Sequence, residues 1–378
     1  MSDYRMRGFR VSSTRVGDAA NILVHVPRTG GTYFNNCLRA NGVQLVDHVE
    51  RFIDDRGRFK GSTGKARDLT QHTWISGHLR LSSLEVAFPE SAGHGFYVLL
   101  RNPLRQLVSQ VNWQAQSLHG RRLSIARMPN YPFRLLIRVC LDGIQRPEQL
   151  PSLLNRHFGY FLNNQSRSLS LMTGGRSAAA SLNDYSMRAF DKLQLLAGFS
   201  LESGLDEFID AVLRGSVSDD HQRVMLPKTA RNASSPFFTP TLLEEAGIFE
   251  QMIRLQRADF VLYLNARHLL SGGTTALRWR DESSFLEDCA SATRLGSSAN
   301  AEKVLNSRIL VQKKLNRLLK AGDTLNPKRY RSVLRGMRFF GRALPYPIRQ
   351  VMEGRRSIFR KLSALHALSV LSRRRSIS

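Results

Sequence analysis

Two groups of residues in this chain have types and spacings suited to holding an anion. The first is the run Pro27-Arg28-Thr29-Gly30-Gly31-Thr32. Adjacent glycines let the backbone turn tightly enough for its N–H groups to converge, and a helix starting there adds unpaired donors and partial positive charge. Arg28 brings a fixed charge, and Thr29 and Thr32 bring hydroxyls for the same oxygens. Such a loop suits a phosphate-like group, although a Gly-Gly pair between strand and helix can also be only a turn. The pattern GxxxxGK[ST] is missing, and with it the lysine that would reach the terminal phosphates. An ordinary ATPase or GTPase is therefore disfavoured.

The second group is Leu100-Arg101-Asn102-Pro103-Leu104-Arg105-Gln106-Leu107-Val108-Ser109. Arg101 stands where an apolar strand ends, at the edge where open α/β sheets bind ligands. Ser109, about two helical turns beyond Pro103, can share an anion with Arg101 if that helix lies across the strand end. Alone, Arg101 reads equally as a helix cap or a partner for a carboxylate, and Ser109 as a solvated helix position. The pairing is informative because a glycine loop and an Arg/Ser pair on successive strand ends offer two anion sites to one nucleotide.

The elements that must position these residues are legible in the apolar pattern. Residues 21–26 read as a strand stopped by Pro27, followed by a helical stretch closed by Gly42. Residues 73–78 and 96–101 read as two more strands, the latter leading into a helix from Leu104 to about Gln116. A further strand is expected at 193–199, before a helix with Leu205, Phe208, Ile209 and Val212 on one face. Strands alternating with helices predict an α/β domain over 21–270 whose parallel sheet is covered by helices on both faces. Residues 1–20 read as an N-terminal segment, 118–160 as a lid or insertion, 216–240 as a loop, 241–270 as helical and 271–300 as a linker. The remainder, 301–378, reads as a basic helical C-terminal extension.

Composition narrows the class. The chain has 378 residues, 42% of them hydrophobic and 23% charged, which is the ordinary globular range. Neither a long apolar run nor the apolar core of a secretory signal is found, so the expected location is cytoplasmic. Cys37, Cys140 and Cys289 are widely spaced and odd in number, which fits a reducing compartment and provides neither a disulfide framework nor a CxxC metal pair. No metal site is expected, and His25, His48, His72 and His94 read as structural or surface residues. The net charge of +26 points to polyanionic partners, and +17 of it falls in 301–378. Within that tail, Val351, Ile358, Leu362, Leu365 and Leu368 fall near helical spacing among Arg355, Arg356, Arg360 and Lys361. Such a helix suits the inner face of an anionic membrane, packing on the domain, or capture of an acidic glycan. Nucleic acid ranks last, because neither zinc-finger spacing nor an RNP-like aromatic motif is found.

Together these residues resemble the sulfotransferases that use 3′-phosphoadenosine 5′-phosphosulfate, particularly the carbohydrate branch that includes the heparan 2-O- and 6-O-sulfotransferases and bacterial relatives. The stretch Val24-His25-Val26-Pro27-Arg28-Thr29-Gly30-Gly31-Thr32 is similar to that branch's "hhHhPKTGGT", with Arg for the usual Lys. Residues 101–109 resemble its "RdPhxRhhS", residues 163–169 its "NxQtRxL", and residues 258–263 its late "DhxLY" helix. The resemblance spans residues 20–270 and implies a P-loop-like fold. It implies that Pro27 to Thr32 hold the 5′-phosphosulfate, that Arg101 and Ser109 bind the 3′-phosphate, and that Gln165 and Arg167 contact the substrate. His78 is similar to the "GH" of the branch and becomes the candidate base, since an imidazole titrating near neutrality suits removal of a hydroxyl proton. Ser76 stands where uronyl 2-O members carry a further His. Arg28 would also stabilise charge on the leaving oxygen. The implied co-substrate is 3′-phosphoadenosine 5′-phosphosulfate, with no metal, and the implied acceptor is a carbohydrate or glycolipid hydroxyl. The rivals are a nucleotide-dependent phosphotransferase and a non-catalytic polyanion- or membrane-binding protein on the same scaffold.

Overall fold

The computed structural model describes residues 9–11, 19–60, 69, 73–89, 93–119, 147–156, 162–170, 182–217, 223–226 and 239–294. Most of the expected lid at 118–160 and loop at 216–240, and all of the basic tail, lie outside the described residues.

Six strands form one sheet: β1 (Phe9–Val11), β2 (Asn21–Val24), β3 (Leu45–Val46), β4 (Trp74–Gly77), β5 (Gly95–Leu100) and β6 (Gly198–Leu201), in the order β1-β6-β5-β2-β4-β3. Helix α1 (Gly31–Ala40) follows β2, α2 (Leu81–Ala87) follows β4, and α3 (Pro103–His119) follows β5. Helices α4 (Leu150–Arg156), α5 (Asn164–Ser170) and α6 (Leu182–Leu195) precede β6. After it come α7 (Leu205–Ser216), α8 (Pro240–Glu245), α9 (Phe249–Leu255), α10 (Arg257–Leu270) and α11 (Glu282–Arg294).

Short runs such as Asn-Ile-Leu-Val are buried throughout because both faces of the sheet are covered. Ile22 and Val24 point to one side, where they join Ile75, Val98 and Leu100 with Leu104 and Leu107 of α3 and Phe260 of α10. Leu23 points to the other, joining Trp74, Tyr97 and Leu99 with Phe34 and Leu38 of α1 and Phe208 and Ile209 of α7. At roughly 1.5–3 kcal/mol for each large apolar side chain fully buried, these two clusters fix the strands in place and thereby fix their ends.

The α/β reading holds, with differences in detail. The sheet is mixed, because β1 runs antiparallel to β6 while the other pairs are parallel. Three residues, Phe-Arg-Val, carry too little periodicity to be read as a strand. The strand expected at 193–199 starts only at Gly198. Leu193 is instead the last inward position of α6, with Ala189 and Phe190 one turn earlier, and an apolar run alone does not distinguish the two states. The helical stretch 241–270 is three helices, the first followed at once by a turn at Gly247 with φ 67°. Residues 271–300, expected as a linker, contain α11, whose Phe285, Cys289 and Ala292 are buried in the core. Their spacing is helical, but the flanking Gly and Ser residues obscured it. No helix among the described residues is long and apolar enough to cross a membrane.

Candidate functional site

Strand β2 is paired with β4 on one side and β5 on the other, in register at Val24 with both Gly77 and Val98. The chain crosses from one side of β2 to the other between β4 and β5, so the C-terminal end of β2 is the switch point where open sheets form a crevice. Three of the expected groups leave the sheet side by side there. The glycine loop follows β2, His78 follows β4 and Arg101 follows β5.

The loop is held from within. Thr29 Oγ1 donates to the Val26 carbonyl at 2.9 Å, so that hydroxyl closes the turn. Gln106 of α3 donates from Nε2 to the Pro27 carbonyl at 2.9 Å. Arg28 lies in the left-handed region at φ 69°, a conformation that costs about 1 kcal/mol or more for a residue with a Cβ. Gly30 is at φ 114°, and a Cβ there would also lie 2.9 Å from Leu205 Cδ2. Gly31 serves a different end, because a Cβ there would lie 2.2 Å from the His25 ring. Helix α1 begins at this point with neither a side-chain cap nor an acidic residue in its first turn, so the partial positive charge of its N-terminus is not neutralised locally. Thr32 is exposed on that first turn.

The two anion sites expected from the sequence are contiguous. Arg28 Nε donates to Ser109 Oγ of α3 at 3.1 Å, and Arg101 Nη1 donates to the Arg28 carbonyl at 3.1 Å. Burial, and then the neighbouring charge of Arg101, push the Arg28 guanidinium down to about 10. Burial lowers Arg101 as well, with Glu202 opposing it. Glu202, just after β6, accepts from the Asn102 backbone N–H at 2.6 Å and faces Arg105 at 3.7 Å. Burial raises its carboxyl above the usual range, against the pull of Arg101. Two crowded guanidiniums, with the half-buried Glu202 carboxylate beside Arg101, make a corner whose repulsion a bound dianion would relieve.

His78 sits on the other side of β2. Its Nδ1–H donates to the His25 carbonyl at 2.7 Å, which leaves the lone pair on Nε2. Its ring lies 4.2 Å from that of His25, and the His25 ring in turn fills the space left by Gly31. His25 is buried and its Nδ1 has no hydrogen-bond partner. Burial, followed by the charge of His78, pushes it down to about 3, so it is neutral at physiological pH. Beyond His78 lie Glu50, whose Oε2 accepts the His78 backbone N–H at 3.1 Å, and His48, whose Nδ1 is 2.8 Å from Glu50 Oε1. His48 was expected to be structural or superficial. Glu50 is two residues from it, but His78 comes from a different element, so local spacing does not announce the group of three.

The two weaker motifs meet at the start of α5. Asp259 of α10 accepts from the backbone N–H groups of Gln165 and Ser166 at 3.1 and 2.7 Å. Gln165, expected to contact substrate, is buried, and both ends of its amide engage the backbone of Arg101. Its amide is thus spent on holding the Arg101 backbone. Arg167 is half-buried beside Arg80, and burial followed by Arg80 pushes it down to about 10. Glu50 and Glu202 were not singled out from the sequence, and Asn102 and Gln106 stood in the second group without a role of their own. Asn102 caps α3 by accepting from Arg105 N–H at 3.2 Å and donates to Thr293 of α11 at 3.1 Å. The asparagine before Pro103 was the available signal for that cap.

No family model matches the chain, and comparisons with curated proteins and with solved structures return no significant match.

Proposed function

We propose that this protein is a sulfotransferase on a P-loop-like scaffold, transferring a sulfuryl group from 3′-phosphoadenosine 5′-phosphosulfate to a hydroxyl of a carbohydrate or glycolipid. The observation that supports this reading most is the convergence of Arg28, Ser109 and Arg101 at the uncapped start of α1, with His78 on the adjacent strand end. A donor with phosphate at two positions suits a corner where two arginines and a helix N-terminus meet. The loop N–H groups and Arg28 would hold the phosphosulfate. Arg101 and Ser109 would hold the 3′-phosphate.

In the proposed reaction His78 Nε2 takes the acceptor hydroxyl's proton while that oxygen bonds to sulfur. The bond from sulfur to the 5′-phosphate oxygen breaks in line, and the electron pair stays on the phosphate. Arg28 and the loop donors face the charge that develops there, so they stabilise the transition state more than the ground state. The His25 carbonyl holds the His78 tautomer that can accept. The sequence of the basic tail suits contact with an acidic glycan or with the inner face of an anionic membrane.

The reading is tested by incubating the protein with the phosphosulfate donor and a panel of glycan and glycolipid acceptors, following release of adenosine 3′,5′-bisphosphate. Acceptor-dependent release that His78→Ala abolishes is expected. Release that is unaffected by His78→Ala would contradict the assignment of the base.

A further inference from the structure

We propose that His48, Glu50 and His78 form a binding site for a divalent transition-metal ion of the zinc class, and that the ion occupies the His78 nitrogen on which the transfer reaction depends. One nitrogen from each imidazole and one oxygen of Glu50 all lie within 4.8 Å of one another. Two histidines and a glutamate are a donor set that zinc accepts with a position left open, and its ligands, at about 2.0–2.1 Å, stand roughly 3.3 Å apart in a tetrahedron. His78 is exposed and the other two are half-buried, which leaves their side chains room to turn toward a common ion.

The surroundings are those of a built site. The three donors come from separate positions that the parallel pairing of β3 with β4 brings together. His78 gives its Nδ1–H to the His25 carbonyl at 2.7 Å, the kind of bond that fixes a metal-ligating imidazole in the tautomer with its lone pair on the other nitrogen. The Glu50 carboxylate is oriented from behind, because Oε2 accepts the His78 backbone N–H at 3.1 Å. Gly77 leaves room for it: a Cβ there would lie 2.7 Å from Glu50 Oε2 and 2.5 Å from Val49 Cγ1. His48 is held in the left-handed region at φ 59°, with its backbone N–H donated to Asp47 Oδ1 at 2.8 Å. Strain of this kind in a non-glycine residue is characteristic of functional sites. His48 Nδ1 and Glu50 Oε1 lie 2.8 Å apart, a hydrogen bond that the ion would replace.

Binding of the metal stands independently of the reaction. Inhibition by it rests on the sulfotransferase reading, since an ion on His78 Nε2 prevents that nitrogen from taking a proton. The test is calorimetric titration of the full chain with zinc chloride, and of the same protein with Co2+ followed by visible absorption. Partners are wild type, His48→Asn, which tolerates a left-handed backbone, and Glu50→Gln, each checked for an unchanged melting curve in EDTA. One ion per chain with the absorption of a four- or five-coordinate Co2+ is expected, with each variant weakening affinity at least about ten-fold. Equal affinity in all three proteins, or no binding by the wild type at 100-fold molar excess of zinc, would overturn the site. A second arm adds zinc to the transfer assay and reverses it with EDTA. Zinc binding without inhibition of an active enzyme would overturn the competition for His78, and an inactive enzyme that binds zinc would count against the reaction alone.

Discussion

Gln165 closes a two-bond clamp on the backbone of Arg101. Its Oε1 accepts the Arg101 N–H and its Nε2 donates to the Arg101 carbonyl, each at 2.8 Å. The clamp is itself anchored, because Asp259 accepts the Gln165 backbone N–H from α10. A residue on one helix thus sets the angle at which a strand end presents its guanidinium.

Replacing Gln165 by Leu keeps the volume and removes both bonds. Leaving a buried donor or acceptor unsatisfied costs about 1–3 kcal/mol, so Gln165→Leu should lower the melting temperature by several degrees. It should also weaken binding of adenosine 3′,5′-bisphosphate about as much as Arg101→Ala does. Unchanged binding in a destabilised Gln165→Leu protein would separate the clamp from the site and limit it to folding.

Arg28 is fixed by Ser109 and crowded by Arg101. Arg28→Ala should reduce turnover by about 10²–10³-fold, the usual effect of removing one donor from a developing oxyanion. Arg28→Lys should retain part of the rate, because an ammonium keeps the charge and loses the planar fork. Equal losses in both variants, measured as kcat, would assign the effect to geometry rather than charge.

Gly31 has no room for a side chain, since the His25 ring occupies the place of a Cβ at 2.2 Å. Gly31→Ala should destabilise the fold by about 1–3 kcal/mol through overpacking. It should also disturb His78 through the stacked His25 ring, which chemical-shift changes at the His78 imidazole would reveal.

Asp259 supplies a pH signature. Burial raises its carboxyl from an ordinary 3.8 to about 6, against the pull of the Ser166 and Gln165 N–H groups. The folded protein then holds this proton more tightly than the unfolded chain. The contribution of this group to stability is therefore greatest below 3.8 and falls as pH rises through about 6, by about 3 kcal/mol in all. Carboxyl-carbon NMR should show Asp259 titrating near 6. A midpoint near 4 would show that its two backbone hydrogen bonds outweigh burial.

How far the site was readable from the chain depends on how local each signal is. The glycine loop, Arg101 and Ser109 were legible because strand, turn and helix onset lie within ten residues of one another, and the structure joins them directly. His78 was legible as the residue at a strand end. Glu50 and Glu202 were not, because Glu50 meets His78 only through sheet pairing and Glu202 meets Asn102 across 100 residues of chain. The strand at 193–199 was misplaced because Leu193, Leu195 and Leu196 satisfy either period. Helix α11 was hidden by its Gly- and Ser-rich flanks, although Phe285 and Cys289 are one helical turn apart and fully buried.

His78 separates chemistry from binding. His78→Ala should bind adenosine 3′,5′-bisphosphate with wild-type affinity and lose acceptor-dependent turnover, because its ring lies on the opposite side of β2 from Arg101 and Ser109. Loss of both would indicate that the His25–His78 stack also supports the loop.

The proposed donor site is tested by calorimetric titration with adenosine 3′,5′-bisphosphate, with ATP as control and Arg101→Ala beside the wild type. Tight binding of the bisphosphate is expected, weakened by Arg101→Ala at least about ten-fold, equivalent to about 1.4 kcal/mol, with no comparable binding of ATP. Absence of bisphosphate binding, or a preference for ATP, would contradict it.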